Sequence, residues 1–278
     1  MNEIVSELEE SNIYTDSTPN PTHWECFTTA IQFLTRIPVT GTMGKSAEYY
    51  YAALRKAVIY FPVVGGFVGL FTAIVLVVCV ALGIPPLVAA FVALALEAAL
   101  TGAFHEDAFA DTWDALGGGW TREQVLEILK DSRLGTYGTL ALVTGLGCRA
   151  TSMAAVASTG TWQAIFAVMA AAALGRIAIV VMMASTAPIG DRASQAKDVS
   201  GTQTIKHVMI ATALSTLFWL PWFVESFHLA TASLLISCVV FVWFRHKIMH
   251  RVGGTTGDFL GCTAFLIQLV FLIGASAR

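Results

Sequence analysis

The sequence predicts an all-α fold, a polytopic helical bundle that crosses a membrane about seven times and carries an N-terminal interfacial helix. The 278 residues are 56% hydrophobic and 13% charged, with a mean hydropathy of +0.69. Soluble domains carry about 25% charged residues, so this composition is typical of an integral membrane protein. A bilayer core roughly 30 Å thick needs about 20 apolar residues per helix. Seven stretches meet that need, near 58–83, 86–104, 136–158, 162–185, 207–224, 229–244 and 258–275.

The residues before the first predicted span differ from the bundle. Residues 1–23 are polar and acidic, and we expect a flexible cytoplasmic tail there. Between positions 24 and 37 apolar residues recur at nearly helical period, but the stretch is too short to span. It predicts an interfacial helix that ends before Pro38. Residues 24–278 then form one membrane-embedded domain.

The basic residues predict how the bundle is oriented. Of the 16 Lys and Arg residues, thirteen lie before the first span or in alternate connections, two lie inside spans (Arg149 and Arg176), and only Arg278 falls on the opposite side. Cytoplasmic loops of membrane proteins carry the excess of Lys and Arg. We therefore expect the N-terminus, the segment around 105–135 and the Gly-rich loop at 253–257 in the cytoplasm, and the C-terminus outside.

Charge and cysteine content argue against several other classes of protein. The net charge is −3 and no basic cluster occurs, so nothing indicates binding to nucleic acid. The five cysteines are scattered and include no C-x-x-C pair. An odd, scattered set argues against a disulfide framework and against a zinc site.

A dense acidic segment, FHEDAFADTWD at 104–114, follows the second predicted span. Asp107, Asp111 and Asp114 stand at i, i+4 and i+7, which places them on one face of a helix, and Glu106 adds a fourth carboxylate. Like charges on one stripe repel unless a cation lies among them, and oxygen ligands suit Mg²⁺. The alternative is a solvated acidic helix start. His105 is a candidate general base or a hydrogen-bonded structural group.

Cationic residues on the same predicted face are candidates for phosphate binding. Lys130 and Arg133 precede Gly135, and Arg36 precedes the first span; all three could equally serve as positive-inside residues. Arg176 lies within a span, where it needs a buried partner or a wet cavity, so phosphate binding and a structural ion pair are both open.

Four further features complete the sequence prediction. We interpret Arg149 as structural, and Glu97 as either facing a cavity or buried and neutral. Thr121 and Gln124 form a capping box that starts a helix running to about Arg133 and ending at Gly135. The segment GGTTGD at 253–258 opens the last span with a flexible backbone, and its Asp258 is either a helix cap or a site residue.

Five segments together resemble the adenosylcobinamide-GDP ribazoletransferase, or cobalamin synthase, family: FLTRIPV at 33–39, YFPVVG at 60–65, GAFHEDAFADTWD at 102–114, LEILKDSRLGTYG at 126–138 and GGTTGDFLG at 253–261. They occur in order over about residues 30–275. The acidic segment at 102–114 and the DSRLGTYG stretch at 131–138 are highly specific. Ala108 and Ala115 stand where the family usually has Gly.

The resemblance implies a Mg²⁺-dependent transferase, a multi-pass protein of the bacterial inner membrane with its active site facing the cytoplasm. A ribose hydroxyl of α-ribazole, or of its 5′-phosphate, attacks the cobinamide-side phosphorus of adenosylcobinamide-GDP, and GMP leaves. Besides these substrates and the lipid bilayer, other enzymes of nucleotide-loop assembly are candidate partners. Under this reading Glu106, Asp107, Asp111 and Asp114 hold the metal. The catalytic residues are His105, Asp107, Asp111 and Arg133, and the phosphate-binding residues are Arg36, Lys130, Arg133, Arg176 and Asp258.

Three alternative functions share parts of this pattern. A CDP-alcohol phosphotransferase uses similar Asp spacing, but its D-x-x-D-G-x-x-A-R pattern is absent here. A prenyl-type transferase needs D-D-x-x-D, which only Asp111 and Asp114 approximate. A transporter of corrinoids or cations would place its acids in mid-membrane between broken helices, rather than at one face.

Overall fold

The computed structural model describes residues 20–189 and 203–277; most of the predicted tail, the basic residues Arg192 and Lys197, and Arg278 lie outside these ranges. The described chain is helical, with one isolated bridge between Pro188 and Thr255. In chain order its helices are α1 His23–Leu34, α2 Ala47–Ala57, a 3-10 turn Val58–Tyr60, α3 Phe61–Ala81, α4 Pro86–Thr101, α5 Phe104–Gly118, α6 Arg122–Ile128, α7 Thr136–Ala157, α8 Thr161–Ser185, α9 Ile205–Leu214, α10 Thr216–Glu225, α11 Phe227–Arg251 and α12 Gly257–Ala275.

The predicted polytopic architecture is confirmed. Within the described ranges, five helical segments are long and apolar enough to cross a membrane: Ala47–Ala81, Thr136–Ala157, Thr161–Ser185, Phe227–Arg251 and Gly257–Ala275. Two bent pairs raise the number to as many as seven, α4 with α5 at 94° and α9 with α10 at 67°. The stretch predicted as a single span at 207–224 is therefore broken, with α9 ending at Leu214 and Pro221 inside α10.

The helix predicted before the first span forms as α1. Thr22 is its N-cap, and Thr22 and Glu25 form a reciprocal capping box. The prediction for the helix after Thr121 was right at its start and wrong at its end. The capping box of Thr121 and Gln124 is present, but α6 ends at Ile128 instead of near Arg133. Asp131 accepts a hydrogen bond from the backbone N–H of Arg133 at 3.1 Å, and such local side-chain bonds compete with helix continuation.

Helices α8 and α12 form the centre of the bundle, because 78% of the most apolar window of each is buried, against 22% for α11. Small residues allow the close approach. Gly69 of α3 lies against Ala172 and Met169 of α8, and Gly175 of α8 lies against the backbone of α12 at Ala264. Small residues at helix contacts are the usual means of packing within membranes. Helix α5 crosses one end of this bundle, packed on α7 and α12.

Candidate active site

A sharp elbow between α4 and α5 sets the direction of the acidic helix. Gly102 and Ala103 both have left-handed backbone conformations, with φ of +74° and +57°. For Ala103 this conformation costs roughly 1–2 kcal/mol, so surrounding contacts must hold it. The side chain of Arg36 packs directly over Gly102, where a Cβ would overlap its guanidinium, and the backbone N–H of Arg36 donates to Leu100 O at 2.7 Å. The structure therefore places Arg36 beside the start of α5.

Three carboxylates influence one another on the accessible side of α5. Asp111 lies within electrostatic range of Asp107, Asp258 and Asp114, and Asp258 lies within range of Asp107. Asp107 is exposed, and the other two are half-buried. The close contact between Gly261 and the Ala108 methyl group brings α12, and with it Asp258, up to α5. The resulting group, Asp107, Asp111 and Asp258, is called the carboxylate face below.

Asp114 serves a different purpose from the carboxylate face. Its Oδ2 accepts from Gly135 N and its Oδ1 from Gly138 N, both at 2.7 Å. Gly135 is the N-cap of α7 and Gly138 lies in its first turn, so the carboxylate satisfies N–H groups that a helix start leaves unpaired. A side chain on either glycine would overlap Asp114, which explains the need for glycine at both positions.

Glu106 faces the interior. Its Oε1 lies 3.3 Å from Nη1 of Arg149, whose Nη2 donates to both oxygens of Glu97 at 2.6 and 2.7 Å. Arg149 and Glu97 are 1% and 2% exposed, so the structural interpretation of Arg149 is confirmed and Glu97 is the partner of a buried arginine. This pair was not predicted, although two opposite charges inside neighbouring spans were a usable signal.

His105 and Arg176 are both buried, at 4% and 1% exposure. Nη2 of Arg176 lies 3.5 Å from His105 Nδ1, and Nη1 donates to Gln268 Oε1 at 2.8 Å. The structure thus brings Arg176 and His105 together beneath the first turn of α5, away from the carboxylate face. Within its span, Arg176 therefore contacts polar side chains of α5 and α12, namely His105 and Gln268.

Arg133 lies on the exposed loop between α6 and α7 with Lys130. Its guanidinium binds Asp131 in a fork, with Nε at 2.9 Å from Oδ1 and Nη2 at 2.6 Å from Oδ2. These hydrogen bonds from the side chain and backbone of Arg133 hold the pKa of Asp131 at about 2, below its usual 3.8. The same loop and Asp114 line a surface groove with Gly118 and Tyr137. Arg133 is therefore near the end of α5, and its guanidinium binds Asp131 of the same loop.

The loop before α12 is fixed by backbone pairing. Thr255 N donates to Ala187 O and Ile189 N donates to Thr255 O, each at 2.9 Å. Arg251, just before this loop, donates from Nη2 to Gly119 O at 2.5 Å and to Leu116 O at 3.3 Å. It caps the C-terminal end of the acidic helix, as a cation should. Arg251 is one of the thirteen Lys and Arg residues on the predicted cytoplasmic side, and the sequence did not predict this contact.

The structure does not assemble the four predicted metal ligands at one point. Across residues 20–189 and 203–277, no three His, Cys, Asp or Glu side chains are placed to hold a metal ion as they stand. Glu106 and Asp114 bind protein groups instead, whereas Asp107 and Asp111 face Asp258. The magnesium site stays a prediction.

The fold and the site define a multi-pass helical membrane protein with an acidic site where the ends of several helices meet. The chain belongs to the cobalamin-5-phosphate synthase family, which it matches over residues 26–276. Relatives named adenosylcobinamide-GDP ribazoletransferase include one from Rhizobium johnstonii, 35% identical over 87% of this chain and 93% of its own. Those from Bradyrhizobium diazoefficiens and Leptothrix cholodnii are both 37% identical over 89% of this chain, covering 92% and 93% of their own. No solved structure matches the chain.

Proposed function

We propose that this protein joins adenosylcobinamide-GDP to α-ribazole, or to its 5′-phosphate, and releases GMP. The observation that carries the proposal is membership of the family over nearly the whole chain, with relatives that bear the name of this transferase. It favours this function over the CDP-alcohol phosphotransferase, prenyl transferase and transporter alternatives. The bonds balance simply: a ribose oxygen bonds to the cobinamide-side phosphorus, the bond from that phosphorus to the bridging oxygen breaks, and GMP leaves.

The carboxylate face fits a magnesium ion by the chemistry of its donors. Asp107, Asp111 and Asp258 are oxygen donors of partial exposure, and their mutual repulsion favours a cation among them. When bound there, Mg²⁺ would neutralise the diphosphate oxygens and the departing phosphate. Glu106 and Asp114 lie outside this group and anchor α5, Glu106 by contacting Arg149 and Asp114 by binding the start of α7.

A carboxylate is a better candidate for the proton acceptor than His105. The hydroxyl of α-ribazole must lose its proton as the new bond forms, and the acceptor must be within hydrogen-bond reach of that hydroxyl. His105 is 4% exposed and faces Arg176, whereas Asp107 is exposed and Asp111 half-buried on the accessible side of α5. We therefore propose Asp107 or Asp111 as the acceptor of the hydroxyl proton. His105 is a buried structural residue beneath them.

The substrate phosphates have accessible cations on two sides of the carboxylate face. Arg36 lies at the elbow, and Lys130 and Arg133 lie on the exposed loop before α7. Arg176 is too deeply buried to bind a phosphate directly in this conformation, so we give it the task of orienting His105. The basic asymmetry of the sequence supports a cytoplasmic site in the bacterial inner membrane, where these large, polar substrates are available.

The proposal is tested with purified protein in lipid nanodiscs. Adenosylcobinamide-GDP, α-ribazole and Mg²⁺ are supplied together, and GMP and the corrinoid product are followed by liquid chromatography and mass spectrometry. We expect equal amounts of the two products, and neither without α-ribazole or Mg²⁺. Asp107→Ala is the inactive control. GMP released at the full rate without α-ribazole would indicate a hydrolase and contradict the proposal.

A further inference from the structure

A buried ion cluster connects the first turn of the acidic helix to the membrane spans. We propose that Arg149 is a positioning residue that fixes the direction of α5, and with it the carboxylate face, by binding Glu97 and Glu106 at once. The inference rests on the proposed function only in taking the carboxylate face as the reactive one. It also assigns Glu106 to this cluster instead of to a metal.

One guanidinium makes contact with several helices. Nη2 of Arg149, on α7, donates to both oxygens of Glu97 on α4, at 2.6 and 2.7 Å, and Nη1 lies 3.3 Å from Glu106 Oε1 on α5. Thr72 of α3 donates to Glu97 Oε2 at 2.8 Å, and the guanidinium carbon lies 5.7 Å from the ring centre of Phe265 on α12. Two separate nitrogens of one planar group reach the two acids, an arrangement that the single nitrogen of a lysine does not reproduce.

The backbone conformation at the elbow must be stabilised by contacts from other parts of the protein. Ala103 adopts a left-handed conformation that an alanine does not favour, and the 94° bend follows directly after it. Arg149 binds on both sides of the bend, since Glu97 precedes it and Glu106 follows it. Arg176 acts in parallel on the adjacent residue, because its Nη2 lies 3.5 Å from His105 Nδ1.

The charges of the cluster balance. Glu97 and Glu106 carry two negative charges, and Arg149 and Arg176 carry two positive charges that both act on the two acids. The set is neutral when every member is ionised, which a buried cluster requires. Removing the charge of Arg149 would leave two carboxylates facing one arginine, whereas Lys keeps the charge and loses the fork.

The test compares Arg149→Lys and Glu106→Gln with Asp107→Asn, a change on the carboxylate face. A 1 Å displacement of reacting groups can cost about 100-fold, so we expect kcat to fall about 10- to 100-fold in Arg149→Lys and Glu106→Gln. The Mg²⁺ concentration that gives half of full activity should rise clearly less in both than in Asp107→Asn, where a ligand itself is replaced and we expect a rise of about tenfold. A metal requirement in Glu106→Gln that rises as in Asp107→Asn would overturn the assignment of Glu106.

A second measurement needs no catalysis and so separates this inference from the proposed function. Spin labels on cysteines at Val88 of α4 and Trp120 after α5, which are 51% and 82% exposed, report the distance across the elbow, with the five native cysteines replaced by alanine or serine. Arg149→Lys should broaden or shift the distance distribution. The matched control is Arg245→Lys, because the hydrogen bonds of Arg245 join α11 to Ser185 of α8. An unchanged distribution in Arg149→Lys would overturn the positioning role, whether or not GMP is released.

Discussion

Asp114 accepts a hydrogen bond of 2.7 Å from the backbone N–H of Gly138, and this bond joins the end of the acidic helix to the first turn of α7. The second oxygen accepts equally closely from Gly135. Both oxygens of Asp114 are therefore engaged with the protein, although the sequence places this residue on the same helical stripe as Asp107 and Asp111. Position on a stripe does not by itself distinguish a ligand from a helix cap.

Replacing Asp114 should destabilise the fold more than replacing Asp107. Asp114 is 8% exposed and satisfies two backbone N–H groups, so we expect Asp114→Ala to lower stability by about 2–4 kcal/mol. Asp107 is exposed, and Asp107→Ala should leave the unfolding temperature within about one degree of wild type. Thermal unfolding of both variants in the same detergent measures the difference. Equal unfolding temperatures would show that the two backbone bonds contribute little.

A methyl group at Gly138 should have a similar effect from the other side of the contact. Its Cβ would overlap the Asp114 carboxylate and lie 2.8 Å from Ala110 O, so α5 and α7 must separate. We expect Gly138→Ala to lose about 1–3 kcal/mol of stability, as overpacking does. Gly147→Ala is the matched control, since it lies on the same helix with nothing within 4 Å. A loss of the same size in both variants would point to the helix itself and not to Asp114.

The sequence predicts the large features of this fold because they follow from hydropathy. The apolar runs give the spans, and Thr121 and Gln124 give the correct start of α6. The breaks are harder, because the 94° bend depends on the conformations of Gly102 and Ala103 and on a buried arginine 43 residues after Glu106. Helical periodicity groups Asp107, Asp111 and Asp114 because it considers one helix at a time. Asp258 belongs to a distant helix and comes close to α5 through the packing of Gly261 on Ala108, which periodicity does not predict.

The carboxylate face should control the metal requirement of the reaction. We expect Asp107→Asn, Asp111→Asn and Asp258→Asn each to lower turnover at least about 100-fold, because amide oxygens do not neutralise Mg²⁺. Higher Mg²⁺ should restore part of the activity in the mildest variant. GMP release measured over a range of Mg²⁺ concentrations checks this, with Glu123→Gln on the exposed start of α6 as the control. Near-normal activity in two of the three variants would exclude this face as the metal site.

The loops around the site should all lie on one side of the membrane. We propose that this side is the cytoplasm, because Lys and Arg are distributed thirteen to one in its favour. Single cysteines at Trp120 and Gly253 should therefore react with membrane-impermeant maleimide only in inside-out vesicles. A cysteine at Leu82, in the turn between α3 and α4, should react only from the opposite side. Labelling of positions 120 and 253 from opposite sides would contradict a shared site.

Replacing Arg133 by Lys distinguishes two possible roles of this residue, phosphate binding and membrane topology. A planar guanidinium donates to a phosphate in a fork, which an ammonium group cannot do, while Lys serves the positive-inside rule as well as Arg. We therefore expect Arg133→Lys to lower kcat/KM about 10- to 1,000-fold, or about 1.4–4 kcal/mol of transition-state stabilisation. Arg122→Lys, on the same connection but at the start of α6, should have little effect.

The ion pair of Arg133 adds a prediction about pH to the same experiment. The pKa of Asp131 is lowered to about 2, so the stabilisation from the pair is present above its usual 3.8 and is lost only as the pH falls towards 2. Between pH 5 and 8 the pair stays ionised, and the ratio of wild-type to Arg133→Lys activity should be constant. If that ratio changes tenfold across this range, a group other than Asp131 controls Arg133. Wild-type kinetics in Arg133→Lys at every pH would remove Arg133 from the site and leave it a residue of topology.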